Sequence, residues 1–325
     1  MSPATPHGRV IALHLAVVAL LFAGEFVLPA YHHGVMARIM VLAVFAMGYN
    51  LLFGYTGLLS LGHAMFFAAG MYGAGLTAYH LGWSVAAAFP AGIVAGAAVS
   101  AGIALLALRT TGVAFMIVTM MFAQVGYLLT LYFGNWTRGE EGLTLAPAAR
   151  LLGPFDFTDP ATRYFAALAL FAVVLFLTLA VVRAPFGRVL VAIRENEERT
   201  RMLGYDTFAN KLAATVLSGT ICASAGAAYA LLFGYFGSTF ATVAYSILPL
   251  LWVLVGGAAT TLGPFLGTLA MYYLVDISND VLNRHFPDWD MSYLGTVGVA
   301  LVLLVLFFPK GLLGTLRQRW MAWLP

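Results

Sequence analysis

Chemistry has few places to sit in this chain. In GYTGLLSLGHAMFFAAGMYGAG, Gly54 to Gly75, the residues Tyr55, Thr56, Ser60 and His63 stand at the head of an apolar run. The other ionisable residues within apolar stretches are His14, Glu25, Arg38 and Asp276. A proton-coupled carrier usually shows acids near the bilayer middle. Their scarcity argues against ion-coupled transport and against intramembrane catalysis. No G-x-x-x-x-G-K-[ST] phosphate loop occurs, and the two lysines, Lys211 and Lys310, lie in no glycine-rich cradle. ATP hydrolysis by that route is therefore excluded. No H-E-x-x-H, C-x-x-C or G-x-S-x-G motif is present, and Cys222 is the single cysteine. The sequence thus predicts no catalytic residue, no metal site and no cofactor bound by this chain.

The elements that must position these residues are membrane helices. Of 325 residues, 62% are hydrophobic and 9% charged, against about 25% charged in a soluble domain. Long continuous apolar runs predict helices rather than the alternating strands of a barrel. Expected spans are 10–30, 35–53, 58–79, 85–108, 112–133, 162–182 and 212–234, a long run 242–278, and 292–308. The first is too long and lacks the cleavage site of a signal peptide. The run 242–278 exceeds one helix and contains GGAATTLGP, Gly256 to Pro264, so it splits in two. The expected fold is an all-α polytopic membrane protein, a single transmembrane domain over 1–325, with about ten helices. Some of them are short or broken at glycine-rich turns.

Charge placement orients this bundle. Six basic residues fall in 183–211, and Lys310, Arg317 and Arg319 follow the last span. Positive-inside puts both segments in the cytoplasm, which requires an even number of spans between them. Splitting 242–278 supplies that number and places both termini inside. Eleven of the sixteen Lys and Arg are then cytoplasmic. Arg38 and Arg163 fall near outer helix ends, and 134–161 becomes an external loop.

Helices gain no hydrophobic drive to associate in lipid, so small residues at every fourth position mark close packing. One stripe is Ala88, Gly92, Gly96, Ser100 and Ala104. Another is Ala214, Ser218, Cys222, Gly226, Ala230 and Gly234. Cys222 reads there as a small packing residue. In the opening block Ser60, Ala64 and Ala68 form one small line, and Gly70, Ala74 and Ala78 another. Phe66 and Phe67 stand between them. Packing is the default reading, and lining a cavity is compatible with it.

The segment 183–211, RAPFGRVLVAIRENEERTRMLGYDTFANK, differs from the rest by mixing six basic residues with Glu195, Glu197, Glu198 and Asp206. Gly187 and Gly204 punctuate it as turns, with a helical hairpin or one bent helix between them. Val189, Leu190, Ile193, Met202 and Leu203 supply apolar residues at helical spacing. It reads either as an ordinary charged loop or as a docking element with apolar anchors ringed by charge.

Four blocks carry a family resemblance: Gly54–Gly75; LRTTGVAFMIVTMMFAQV; APFGRVLVAIRENEERTRMLGYDTFANKLAATVLSG; and SILPLLWVLVGGAATTLGPFLG followed by FFPKGLLG. The chain resembles the LivH/LivM-type permeases of ATP-binding-cassette importers of the branched-chain amino acid class, and is most similar to the LivM branch. It departs at Met116, Gln124 and Thr200. Ala258 and Ala259 occupy a G-G-x-G-T-L pattern whose glycine is replaced. The resemblance implies a bacterial inner-membrane permease subunit paired with a second, LivH-like permease. Two cytoplasmic ATPases, which carry ATP and magnesium, and an extracytoplasmic solute-binding protein complete the system. It further implies that 183–211 is the coupling segment, with contacts at Arg188, Ile193, Arg194, Glu195, Asn196 and Leu203 and turns at Gly187 and Gly204. Pathway candidates are Ser60, His63, Phe66 and Phe67, with Gly256, Gly257, Thr260, Thr261 and Gly263 at the second turn. Urea, short amides and aromatic or carboxylic acids rival branched-chain amino acids as solutes. A stand-alone secondary transporter or channel is the competing class.

Overall fold

The computed structural model describes residues 6–285, 295, 298, 299, 302 and 311–319. Among the described residues nine long helices run back and forth: α1 Pro6–Val27, α2 Ala30–Asn50, α3 His63–His80, α4 Val85–Ala107, α5 Gly112–Tyr132, α7 Pro160–Arg183, α10 Thr207–Phe233, α11 Val243–Gly256 and α12 Gly263–His285. Shorter pieces are α6 Gly134–Thr137, α8 Pro185–Glu195, α9 Glu197–Met202 and α13 Gly311–Arg319. Among the described residues, α1, α2 with its extension, α4, α5, α7 and α10 are long and apolar enough to cross a membrane. The expected span 292–308 lies outside the described residues apart from four isolated positions. The split of 242–278 is observed: α11 ends at Gly256 and α12 starts at Gly263.

Helix ends follow local chemistry. Asp159 caps α7 by accepting from Thr162 N–H at 2.9 Å, with Pro160 in the first turn. Asp206 caps α10 by accepting from Ala209 N–H at 2.9 Å, and Gly234, at φ 73°, closes its other end. α2 starts five residues before the expected 35, directly after Pro29, and continues through one wider π-type turn, Leu51–Tyr55.

α2 is the centre of the bundle. Ala37, Ile39, Phe45 and Met47 are inaccessible, as expected of a helix apolar on all sides. Around it α10 packs on α2, α3 and α4, while α7 and α12 cover other faces of α2. Both small-residue stripes face inward: Ala88, Gly92, Gly96, Ser100 and Ala104 are buried on α4, and Ala214, Ser218, Cys222, Gly226 and Ala230 on α10. A Cβ on Gly226 would overlap the Phe67 carbonyl oxygen, and one on Gly70 would overlap that of Ala223. Cys222 lies 3.6 Å from the Phe45 carbonyl, at the point where α10 passes Gly48.

The segment 134–161 is folded as a cap. Its strand β1, Leu143–Thr144, pairs with Tyr235–Phe236 beyond α10, and 151–156 forms a small antiparallel hairpin. Arg150 donates to the carbonyls of Leu231, Leu232 and Phe157, satisfying acceptors that the end of α10 leaves free. The packing makes a sharp prediction. Gly226→Leu should cost about 3 kcal/mol through overpacking. Gly102→Leu, which meets nothing within 4 Å, should stay within about 0.5 kcal/mol of the parent. Thermal melts of the detergent-solubilised variants would separate the two.

Candidate functional site

At one end of the bundle a charged hairpin meets two glycine-rich turns. Pro185 opens α8 in its first turn, a position where its missing N–H costs nothing. Gly187 is therefore inside α8 and is not a turn. Its role is close approach, since a Cβ there would strike the carbonyls of Val181 and Val182 at the end of α7. Asn196 breaks the helix and caps α9, its Oδ1 accepting from Arg199 N–H at 2.8 Å. Gly204, at φ 90°, makes the turn into α10. One face of α8, Gly187, Leu190 and Ile193, is buried against the bundle. Ile193 thus packs inward and is unavailable as an outward contact. Arg188, Glu195 and Asn196 are exposed. So are Leu203 at 70% and Met202 at 80%, with Tyr205 and Phe208 beside them.

The hairpin is tied down at two points. Lys211 donates to Glu197 Oε1 at 2.6 Å, with Arg201 at 3.5 Å. Partial burial pushes the Glu197 carboxyl up, yet the hydrogen bond and charge of Lys211, with Thr207 and Arg201, hold it below the ordinary value of 4.5. At the second point Arg194 donates to the carbonyl oxygen of Gly54, and its side chain lies over Gly57, which turns at φ 77°. The first glycine turn is therefore bonded directly to α8.

Asn50, on α2, joins that turn to the second one. It is fully buried. Its Nδ2 donates to the Thr260 carbonyl at 2.9 Å, and its Oδ1 accepts from Ala259 N–H at 3.0 Å. One side-chain amide thereby satisfies a donor and an acceptor of the irregular backbone at 259–260. Ala259 stands at φ 57°, a left-handed conformation that favours glycine. His14 of α1 reaches the same turn. Its Nδ1–H donates to Val10 O at 2.7 Å, leaving Nε2 to accept from Thr261 Oγ at 2.7 Å. Gly311, at the start of α13, abuts Gly257.

The pathway candidates sit inside the subunit in this conformation. Ser60, His63, Phe66 and Phe67 are buried, as are Thr260 and Thr261. Ser218 donates its one proton to Gly48 O at 2.6 Å, so it accepts from His63 Nε2–H at 3.0 Å. His63 is thus a staple between α3, α10 and α2, with its ring 4.5 Å from that of Tyr49. Phe67 belongs to an aromatic cluster with Phe45, Tyr229, Phe240 and Tyr245. Gly256 and Gly263 press backbone to backbone, and Gly257 turns at φ 116°. The second turn is closed by these contacts. Asn50 escaped the sequence reading. An amide inside an apolar span was its only signal.

The family described as "Branched-chain amino acid transport system / permease component" matches residues 32–307. Two proteins named "High-affinity branched-chain amino acid transport system permease protein LivM", from Salmonella typhimurium (strain LT2) and Escherichia coli (strain K12), are each 27% identical. Each alignment covers 94% of this chain and 75% of the relative. A "Probable branched-chain amino acid transport permease protein LivM" of Methanocaldococcus jannaschii is 32% identical over 139 residues, 40% of this chain and 39% of that one.

Two outcomes follow from the clamp. Ala259→Gly should stabilise the protein by about 1 kcal/mol by relieving the left-handed alanine. Asn50→Leu should cost about 3 kcal/mol by stranding two buried backbone groups. Paired thermal melts measure both. The Glu197 contribution should be complete above pH 4.5 and lost as pH falls through its lower folded value. Acid should therefore speed proteolysis within 197–211, and Glu197→Gln should remove most of that pH dependence.

Proposed function

The chain belongs to the branched-chain amino acid transport permease family, and on that premise we propose that it forms half of the translocation pathway of an ATP-binding-cassette importer for branched-chain amino acids. The names of its relatives support the solute class. A permease component is not itself catalytic, and ATP and magnesium belong to two separate cytoplasmic ATPases. A LivH-like permease supplies the other half, and an extracytoplasmic binding protein delivers solute. The location is the bacterial inner membrane.

The observation that carries the coupling role is the exposed apolar group Met202, Leu203, Tyr205 and Phe208 on a rigidly capped, charged hairpin. Such a patch rimmed by polar residues suits a protein partner. The ATPases dock on this patch, with Arg188, Glu195 and Asn196 at its rim and Ile193 behind it as an internal anchor. When ATP closes the ATPase pair, the hairpin moves. Arg194 carries that motion to the Gly54 turn, and Asn50 carries it on to the Ala259–Thr260 turn between α11 and α12. His14 extends the connection to α1. The pathway opens where these turns separate.

A ten-span layout with both termini cytoplasmic accompanies this reading. The Arg9 end of α1, the 54–57 turn, the 183–211 hairpin and the 257–262 turn share one end of the bundle. Gly311 lies against Gly257 at that same end, which favours an even number of crossings. The cap 134–161 then faces outward.

Three results would test the proposal. Leucine uptake into proteoliposomes should require ATP and the ATPases, so uptake by the isolated chain would sink it. Met202→Asp and Leu203→Asp should each reduce ATPase co-purification about tenfold without moving the melting temperature. Glu195→Arg should weaken the same association.

A further inference from the structure

From Met36 to Leu52 every residue of α2 and its extension is buried except Arg38. The central helix is therefore covered on all sides and opens at one point, and an arginine fills that opening. Because α2 starts at Ala30, Arg38 lies about 12 Å along it, inside its apolar run and level with Phe233 at the end of α10. A cation at such depth is costly unless it is paired or faces a polar cavity. Among the described residues no carboxylate lies within ion-pair distance of Arg38. Its guanidinium stands 5.1 Å from the Phe233 ring, and Arg163 approaches the same ring at 5.8 Å. Two guanidiniums thus lie over one aromatic ring, Arg163 with Asp159 nearby and Arg38 without an ion-paired carboxylate. Arg38 Nη1 also donates to Tyr272 Oη at a long 3.5 Å, leaving the tyrosine proton free to donate elsewhere. Phe233, Phe240, Tyr245 and Tyr272 are half-buried, and Tyr245 sits edge-on to Phe240 at 5.2 Å.

We propose that Arg38, with Tyr272 and the Phe233–Phe240–Tyr245 wall, receives the α-carboxylate of an amino-acid solute in the outer half of the pathway. The planar fork of arginine matches a carboxylate in bidentate fashion. The Tyr272 hydroxyl adds a donor, and the aromatic wall accepts an apolar side chain. Arg163 raises the local positive potential that draws the anion in. The proposal rests on the importer reading given above. It adds a residue-level basis for recognition within the membrane subunit, separate from the binding protein. A snorkelling arginine or an inter-subunit ion pair would use the same charge for a different end, and the test below separates them.

The experiment uses the whole complex, with both permeases and the ATPases, in nanodiscs without the binding protein. Equilibrium binding of radiolabelled leucine is compared with that of leucinol, which lacks the carboxylate, for the parent, Arg38→Lys and Arg38→Gln. Leucine should bind the parent more tightly than leucinol does. Arg38→Gln should weaken leucine by about tenfold or more while leaving leucinol unchanged, and Arg38→Lys should restore part of the loss. Equal leucine affinity in parent and Arg38→Gln overturns the proposal, as does equal affinity of the parent for leucine and leucinol. Loss of the second permease from purified Arg38→Gln complex also overturns it, assigning Arg38 to the subunit interface. Failure of the importer reading looks different: the parent complex, supplied with binding protein and ATP, then takes up no branched-chain amino acid.

Discussion

The fold depends on how a buried, irregular peptide is kept satisfied. Ala259 and Thr260 lie where α11 gives way to α12, without helix bonds of their own, Thr260 buried and Ala259 half-buried. The Asn50 amide supplies a partner to each from the last residue of α2, the most buried helix. That arrangement lets a glycine-rich turn exist inside the bundle rather than at its surface. It also fixes the distance between the two glycine turns, since Gly54 is pressed against Asn50 and the Ala259 N–H. Everything attached to either turn inherits that geometry: α8 through Arg194, α1 through His14, and α13 through Gly311.

The rest of the bundle is held by proximity. Lipid tails compete with apolar side chains on equal terms, so α3, α4 and α10 associate by bringing backbones close. Gly70, Gly92, Gly96, Gly219 and Gly226 are among the places where any side chain would collide. Hydroxyls fill the remaining gaps, as Ser218 does between His63 and Gly48. Cys222 is one more such filler, too enclosed for reagents to reach.

Much of this was legible in the sequence because two periodicities survive folding unaltered. The four-residue stripes on α4 and α10 predicted the buried faces residue by residue, since a helix cannot hide a small residue from its own geometry. The break at Gly256–Pro264 was legible because its turn chemistry interrupts an overlong apolar run. Other features were not. Gly187 signals a turn or a close approach with the same letter, and only the position of α7 decides between them. Ile193 and Leu203 share a helical period, yet Asn196 redirects the chain so that they face opposite ways. The start of α2 was hidden by His32, His33 and Gly34, polar or flexible residues that tertiary packing absorbs. Packing was the default reading for the block that holds His63, but its partner, the Ser218 hydroxyl across the helix interface, left no mark in the sequence.

α10 has one further property. It runs 27 residues, about 40 Å by helical rise. At one end Asp206 caps it and Lys211 grips the hairpin. At the other, Arg150 grips its final carbonyls and β1 pairs just beyond. It is thus a strut pinned at both ends, to the hairpin at one and to the 134–161 cap at the other. A tilt given to the hairpin reaches the cap without being lost in bending. The hairpin and the cap are joined by a single covalent rod, so a displacement at either end is carried to the other.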